Sequence, residues 1–365
     1  MLEKKILLFT YDLNPGGAEH VIVTVANYLC KHGYNVSIAL VKNEGILLKR
    51  LDKCITVIGL GSSHVLSSFF PLIGVIREIR PNLVFSTLKE CNAIAVLASK
   101  LSLVNPKVII REANTLSSEL ANAGVLNSWV KRSLVKFTYP HADKIVALSN
   151  HMKKDIVELL CVKENKISVI YNPVDIEKLK SMYFEPVSDF IFDNNFKYYC
   201  TAARLVPHKR HDTTIKAIAL LNRQYKLKTK LMIFGAGPEL DNLIQLTREL
   251  NISDHVYFMG FKNNPFRYYR YCKGFILSSE YEGMPNSLLQ ALSLDLKVFA
   301  SNSPGANFEI IAYNNCGIIF DVGDEEQLAS FLSKDAVCNA FDASKYHLDV
   351  IMGKYRQLID KQLGL

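Results

Sequence analysis

Short apolar runs alternate with longer stretches of helical spacing almost from end to end, and that alternation restricts the fold more than any single residue does. Runs at Ile6–Thr10, Val36–Val41, Thr56–Ile58, Leu83–Ser86, Val108–Ile110, Lys144–Ala147 and Ile167–Ile170 form a first series. Tyr198–Ala202, Lys230–Phe234, Val256–Met259, Phe275–Leu277, Lys297–Ala300 and Gly317–Phe320 form a second. A strand–helix–strand order predicts parallel sheets covered by helices on both faces, hence an α/β protein with two doubly wound, Rossmann-like domains. The pattern breaks at Asn172-Pro173-Val174-Asp175 and again over Ser181–Asn195, which is rich in Pro, Asp, Asn and aromatics. The expected division is therefore a domain over 1–175, a linker over 176–195 and a second domain over 196–343. The final helical pattern, 344–365, has no strand after it and is expected to cross back to the first domain. A length of 365 residues suits two domains at ~100–200 residues each.

Composition narrows the setting. No apolar run reaches the ~18–20 residues of a membrane span, and Met1–Tyr11 is too short and too early-charged for a signal peptide. A cytoplasmic chain is the expectation. The eight cysteines show no CxxC spacing, so they read as reduced core residues and imply no zinc site. The net charge of +8 is unevenly placed: residues 1–180 carry 23 basic against 15 acidic side chains, and residues 181–365 carry 20 of each. Part of the excess lies in Trp129-Val130-Lys131-Arg132-Ser133-Leu134-Val135-Lys136-Phe137. That segment suits either an anionic membrane surface or an amphipathic helix packed on its own domain. No sustained basic stripe interleaved with aromatics points to nucleic acid.

Two facing doubly wound domains bind ligands in the cleft at the carboxyl ends of their strands, so the strand exits carry the functional information. The first strand runs into Asn14-Pro15-Gly16-Gly17-Ala18-Glu19, where paired glycines admit a close approach of backbone to phosphate. This is not GxGxxG, and no nicotinamide site is read from it. In the second series, Arg204 and Lys209 share one loop and suit a pair of phosphates. Gly235-Ala236-Gly237-Pro238 follows the next strand. The most pointed exit is Ser279-Glu280-Tyr281-Glu282-Gly283-Met284-Pro285-Asn286-Ser287-Leu288-Leu289-Gln290, where a helix is expected to begin near Asn286 as its cap. Unpaired N–H groups at such a start favour an anionic oxygen, while Glu282 suits sugar hydroxyls beside it.

The ordered set Gly16-Gly17, Arg204 with Lys209, Gly235-x-Gly237-Pro238, Met259-Gly260-Phe261, Glu282-Gly283-x-Pro285-Asn286 and Ser301-Asn302-Ser303-Pro304-Gly305 resembles the retaining, nucleotide-sugar-dependent glycosyltransferases of the glycosyltransferase-B fold. Within them it looks most like bacterial enzymes that extend lipid-linked surface polysaccharides. The resemblance implies that Arg204 and Lys209 bind the donor pyrophosphate and neutralise the departing nucleoside diphosphate. It places Gly16 and Gly17 near donor phosphate or acceptor, Gly260 and Phe261 at the base, and Gly283, Met284, Pro285, Asn286 and Ser287 in the turn beside the distal phosphate. Glu282 matches the first acid of a Glu-x7-Glu motif; the second position is Gln290, which keeps hydrogen-bonding capacity without the charge. Where many relatives have a histidine after the strand Val108–Ile110, this chain has Arg111-Glu112-Ala113-Asn114, leaving Glu112 or Asn114 as substitutes. His141 and His208 read as surface or packing residues.

The resemblance further implies transfer of a hexose or N-acetylhexosamine from a UDP-linked donor to a hydroxyl of a lipid-linked saccharide. It implies retention at the anomeric carbon, no metal and no cofactor beyond the nucleotide sugar, at the inner face of the cell membrane. A nucleotide-sugar epimerase of the same fold and a non-catalytic sugar-binding subunit are the competing readings. A two-domain solute-binding protein would need an export signal.

Overall fold

The computed structural model describes residues 4–121, 125–334 and 338–365, and of 125–131 the backbone only. The chain divides into two compact units, Met1–Pro173 with Asp349–Leu365, and Val174–Leu348.

In the first unit seven parallel strands, β1 (Lys5–Thr10), β2 (Asn35–Leu40), β3 (Thr56–Gly59), β4 (Leu83–Thr87), β5 (Lys107–Arg111), β6 (Lys144–Ala147) and β7 (Ile167–Val169), stand in the order β3-β2-β1-β4-β5-β6-β7. The central strands bury both faces: Leu7, Leu8, Phe9, Val84, Phe85, Ile109 and Ile110 are all fully enclosed. That two-sided burial is why the runs are continuously apolar and not alternating. The helix Leu348–Leu363 belongs to this unit. Its Tyr355 ring packs edge-on against Phe85 at 5.9 Å, and its hydroxyl accepts from Arg111 Nε at 3.2 Å.

The second unit has six parallel strands, β8 (Lys197–Ala202), β9 (Thr229–Phe234), β10 (Val256–Gly260), β11 (Cys272–Leu277), β12 (Val298–Ser301) and β13 (Ile318–Phe320), in the order β10-β9-β8-β11-β12-β13. In both sheets the winding direction reverses beside the first strand, between β1 and β4 and between β8 and β11. Such a reversal leaves the loops at the carboxyl ends of those two strands splayed apart, and a ligand fits between them.

Three local expectations are corrected. The stretch 176–195 is not bare linker: Ile176–Tyr183 is a helix, because the Asp175 carboxylate caps it by accepting from the Lys178 N–H at 3.1 Å. The helix Asn286–Ser293 is capped at Pro285, with Asn286 already in its first turn and no side-chain cap. Cys30, at the end of the helix Gly17–Lys31, and Cys54, ahead of β3, form a disulfide. The 24-residue separation carries no spacing signal, since tertiary packing alone brings the two sulfurs together.

Candidate active site

The second unit brings its basic and acidic loops together at the reversal point. Past β8 the chain turns through Arg204 to a short 3-10 turn, Pro207–Lys209; past β11 it runs through Ser278 to the helix Asn286–Ser293. The Lys209 ammonium lies 2.6 Å from Glu282 Oε1, and the Ser279 hydroxyl donates to the same oxygen at 2.6 Å. Both charged side chains are largely buried, Lys209 at 15% and Glu282 at 8% exposure, so the pair is fixed and not a wandering surface contact. Ser278 stitches the two loops from behind, donating to the carbonyls of Lys209 at 3.0 Å and Arg210 at 2.8 Å. The Glu280 N–H donates to the His208 carbonyl at 2.8 Å, and the His208 ring stacks on Tyr281 at 4.8 Å. Burial, then the neighbouring Lys209 charge, lowers the His208 pKa, so this histidine packs as a neutral ring.

Arg204 contrasts with Lys209. It is exposed, and its guanidinium makes no hydrogen bond or ion pair among the described residues, although its carbonyl is held at 3.2 Å by His211 Nε2. The backbone is anchored and the cation is left outside.

A third loop, after β12, holds the acidic turn from below. The Glu282 N–H donates to the Pro304 carbonyl at 2.9 Å, the Ala306 N–H to the Gly283 carbonyl at 3.0 Å and the Ser301 hydroxyl to the Ser279 carbonyl at 2.6 Å. Gly305 has φ +127°, and a Cβ there would overlap the Glu282 carbonyl oxygen. Gly283, Met284 and Pro285 are buried in this junction, where the side chains of Met284 and Pro285 are packing groups, while Asn286, Ser287 and Gln290 are partly exposed.

Gly235 and Gly237 also have a packing reason. Gly235 has φ +151°, and a Cβ on it would strike the Ala203 carbonyl; one on Gly237 would strike that of Leu205. They let the loop after β9 lie against the Arg204 loop, with the Leu205 N–H donating to the Ala236 carbonyl at 3.0 Å. The Gly235 N–H in turn donates to Gly260, at φ +66°, and the next residue, Phe261, holds its ring 60% exposed.

In the first unit Gly16 is the extended N-cap of the helix Gly17–Lys31, and the Glu19 carboxylate folds back over it, so a Cβ at 16 would collide with that carboxylate. Glu112 is buried, accepting from the Ala113 N–H at 3.1 Å and bonded to the Tyr139 hydroxyl. Burial, reinforced by the Glu119 charge, raises its carboxyl above the ordinary range. Asn114 is partly exposed and donates to Glu119, whose other oxygen takes Lys89 Nζ at 2.7 Å. Of the two candidates for the missing histidine, Glu112 is sequestered and Asn114 reaches the surface. Sequence reasoning passed over Ser279, the Tyr281 stack and Lys89, for which no spacing signal exists.

A family model described as Glycosyl transferases group 1 matches residues 188–334, and one described as Glycosyltransferase Family 4 matches residues 15–178. The chain is a glycosyltransferase of the glycosyltransferase-B fold. Among curated relatives, this glycosyltransferase is 27% identical over 341 residues to the Campylobacter jejuni N-acetylgalactosamine-N,N'-diacetylbacillosaminyl-diphospho-undecaprenol 4-alpha-N-acetylgalactosaminyltransferase, covering 89% of this chain and 88% of the relative. It is 22% identical to the amylovoran biosynthesis glycosyltransferase AmsD of Erwinia amylovora, over 98% of this chain and 99% of that one. The fold is shared with Anabaena Alr3699/HepE in complex with UDP-glucose, at a TM-score of 0.73 and 18% identity over 98% of this glycosyltransferase and 95% of HepE. It is shared also with the sucrose-phosphate synthase of Thermosynechococcus elongatus, at 0.81 and 14% over 99% and 100%.

Proposed function

We propose that this glycosyltransferase moves a hexose or N-acetylhexosamine from a UDP-linked donor to a hydroxyl of a lipid-linked saccharide, with retention at the anomeric carbon. The observation that carries this is the Lys209–Glu282 pair at the reversal point of the second sheet, with the unpaired Arg204 cation on the same loop. A diphosphate needs cations and N–H donors on one side, and the sugar it carries needs an acceptor for its hydroxyls on the other. Arg204, Lys209 and the first N–H groups of the helix Asn286–Ser293 supply the former, and Glu282 supplies the latter.

In the transfer the bond from the anomeric carbon to the diphosphate oxygen breaks with its electron pair on that oxygen. The acceptor oxygen forms the new bond on the same face, and its proton passes to the departing phosphate. Arg204 and Lys209 stabilise the charge that grows on the leaving group, the task in which fixed electrostatics contribute most. With those cations in place the transfer proceeds without a metal ion, so chelation by EDTA should leave it intact.

The Campylobacter relative, named for a diphospho-undecaprenol substrate, supports a lipid-linked acceptor, and HepE, named with UDP-glucose, supports the donor. Contact with the inner face of the membrane is proposed through the helix Val125–Thr138, on which Arg132, Lys136 and Phe137 are exposed. The side chains of Trp129, Val130 and Lys131 lie outside the described residues. Among the described residues no helix is long and apolar enough to cross a membrane. NMR of the product tests the stereochemistry: an anomer inverted relative to the donor would sink the retaining mechanism. Liposome sedimentation tests the membrane contact, which fails if neutralising Arg132 and Lys136 leaves binding to anionic vesicles unchanged.

A further inference from the structure

The segment after the helix Ile176–Tyr183 is strapped onto the loop that follows β10. Asp189 is its buckle. The Lys262 ammonium lies 2.9 Å from Asp189 Oδ2, Arg267 Nη2 lies 3.1 Å from Oδ1, and the Tyr268 hydroxyl lies 2.6 Å from both oxygens. Asn264 Nδ2 donates to the Met182 carbonyl at 2.8 Å and to Glu185 at 2.9 Å. Behind the strap, Phe192 stacks on Tyr271 at 4.2 Å, and Phe190 meets Tyr257 of β10 edge-on at 5.0 Å. Three donors converging on one carboxylate form a network, the arrangement in which exposed charges do contribute.

The loop so held begins with Phe261, an aromatic ring kept in solvent at the carboxyl end of a strand. Gly260 in the left-handed region turns the chain there, and its carbonyl is tied to the Gly235 N–H at 2.9 Å. The exposed Phe261 ring does not fix the loop; it is held before Phe261 by the Gly260 carbonyl and after it through Lys262, Asn264 and Arg267. From this we infer that Asp189 is a positioning residue for the nucleotide: it presets the Phe261 loop so that the ring meets the base without the loop having to order on binding. This rests on the proposed nucleotide-sugar donor and on the family resemblance that places Gly260 and Phe261 at its base. A preset loop strengthens donor binding in ground and transition states alike, so its loss appears in KM and in Kd for UDP, not in kcat.

The test is titration of UDP into the full chain, wild type, Asp189→Asn, Phe261→Ala and the double variant, with donor KM and kcat measured alongside. Asp189→Asn is expected to raise Kd and KM about fivefold to tenfold with kcat within about twofold. Its effect should disappear when Phe261 is already Ala, since the two act through one element. Should Asp189→Asn reduce the yield of folded protein, Lys262→Met carries the same expectation. UDP binding by wild type with unchanged Kd in Asp189→Asn overturns the buckle and leaves the proposed function standing. Additive losses in the double variant also overturn it, placing Asp189 outside the Phe261 loop. A wild type that binds no UDP removes the nucleotide reading and the buckle with it.

Discussion

Lys209 and Glu282 stand 73 residues apart in the chain and 2.6 Å apart in the fold, joined across the two loops that flank the reversal point of the second sheet. The pair holds a cation and a carboxylate in one buried unit, and the proposed function uses the first for phosphate and the second for sugar hydroxyls. Lys209→Ala should lower kcat/KM about 10-fold to 150-fold, the loss of one charge-assisted contact of about 1.5–3 kcal/mol. It also leaves a buried carboxylate short of its cation, so thermal unfolding should come earlier. In the double variant Lys209→Met with Glu282→Gln the stability losses should fall short of the sum of the singles by about 1 kcal/mol or more. Additive losses in urea denaturation would show the two to be independent.

Gly305 and Gly74 should respond in opposite ways to alanine. At Gly305, φ is +127° and a Cβ overlaps the Glu282 carbonyl, so Gly305→Ala should cost about 1–3 kcal/mol and weaken donor binding by shifting the acidic turn. Gly74 sits in the helix Phe69–Ile79 with open space around the Cβ position, and there alanine should stabilise by about 0.5–1 kcal/mol. Equal effects in chemical denaturation would remove the close-approach explanation of Gly305.

The alternating runs made both sheets legible from sequence, because strands buried on two faces must be continuously apolar, as Leu7–Phe9 and Leu231–Ile233 are. Arg204, Lys209 and Glu282 were legible as strand exits, since the chain order of exits in such a fold fixes which loops share a rim. Their pairing was not: an ion pair across 73 residues leaves no local mark. The glycines at 235 and 237 were legible as a turn, but the carbonyls of Ala203 and Leu205 that demand them belong to another loop. Asp189 and the Cys30–Cys54 disulfide were hidden for the same reason, and the cap falls at Pro285 and not Asn286, in a turn bonded to the Pro304 carbonyl and the Ala306 N–H of another loop.

Acid should loosen the second unit through His211. The ring is buried, donates from Nε2 to the Arg204 carbonyl, and has no partner for Nδ1 among the described residues. Burial lowers its pKa from 6.5 to about 4. The unfolded chain therefore takes up this proton near pH 6.5 and the folded one only near 4. Its contribution, about 3 kcal/mol, is complete above pH 6.5 and disappears as pH falls towards 4. His211→Gln should flatten the fall in urea midpoint between pH 6.5 and 4.5; an unchanged slope would remove His211 as its source.

Glu112 should act in the opposite sense. Burial, first, and the Glu119 charge raise its folded pKa above the ordinary 4.5, so the folded state holds a proton that the unfolded chain has released. That stability is present at low pH and declines as pH rises from 4.5 through the raised value. Glu112→Gln keeps a neutral, hydrogen-bonding group beside Tyr139 and should leave stability near pH 4 nearly unchanged while raising it progressively as pH climbs through 6 to 8. A variant less stable than wild type across this range would mean that the buried carboxyl is ionised in the folded state.

The most direct measurement is acceptor-dependent release of UDP from a panel of UDP-hexoses and UDP-N-acetylhexosamines, with a polyprenyl-diphosphate-linked saccharide as acceptor, comparing wild type with Arg204→Ala. The expected result is release by wild type with at least one donor, only when the acceptor is present, and a fall of about tenfold or more in the variant. Release at the same rate by Arg204→Ala, or no acceptor-dependent release by wild type with any donor, would contradict a UDP-sugar site built on Arg204, Lys209 and Glu282.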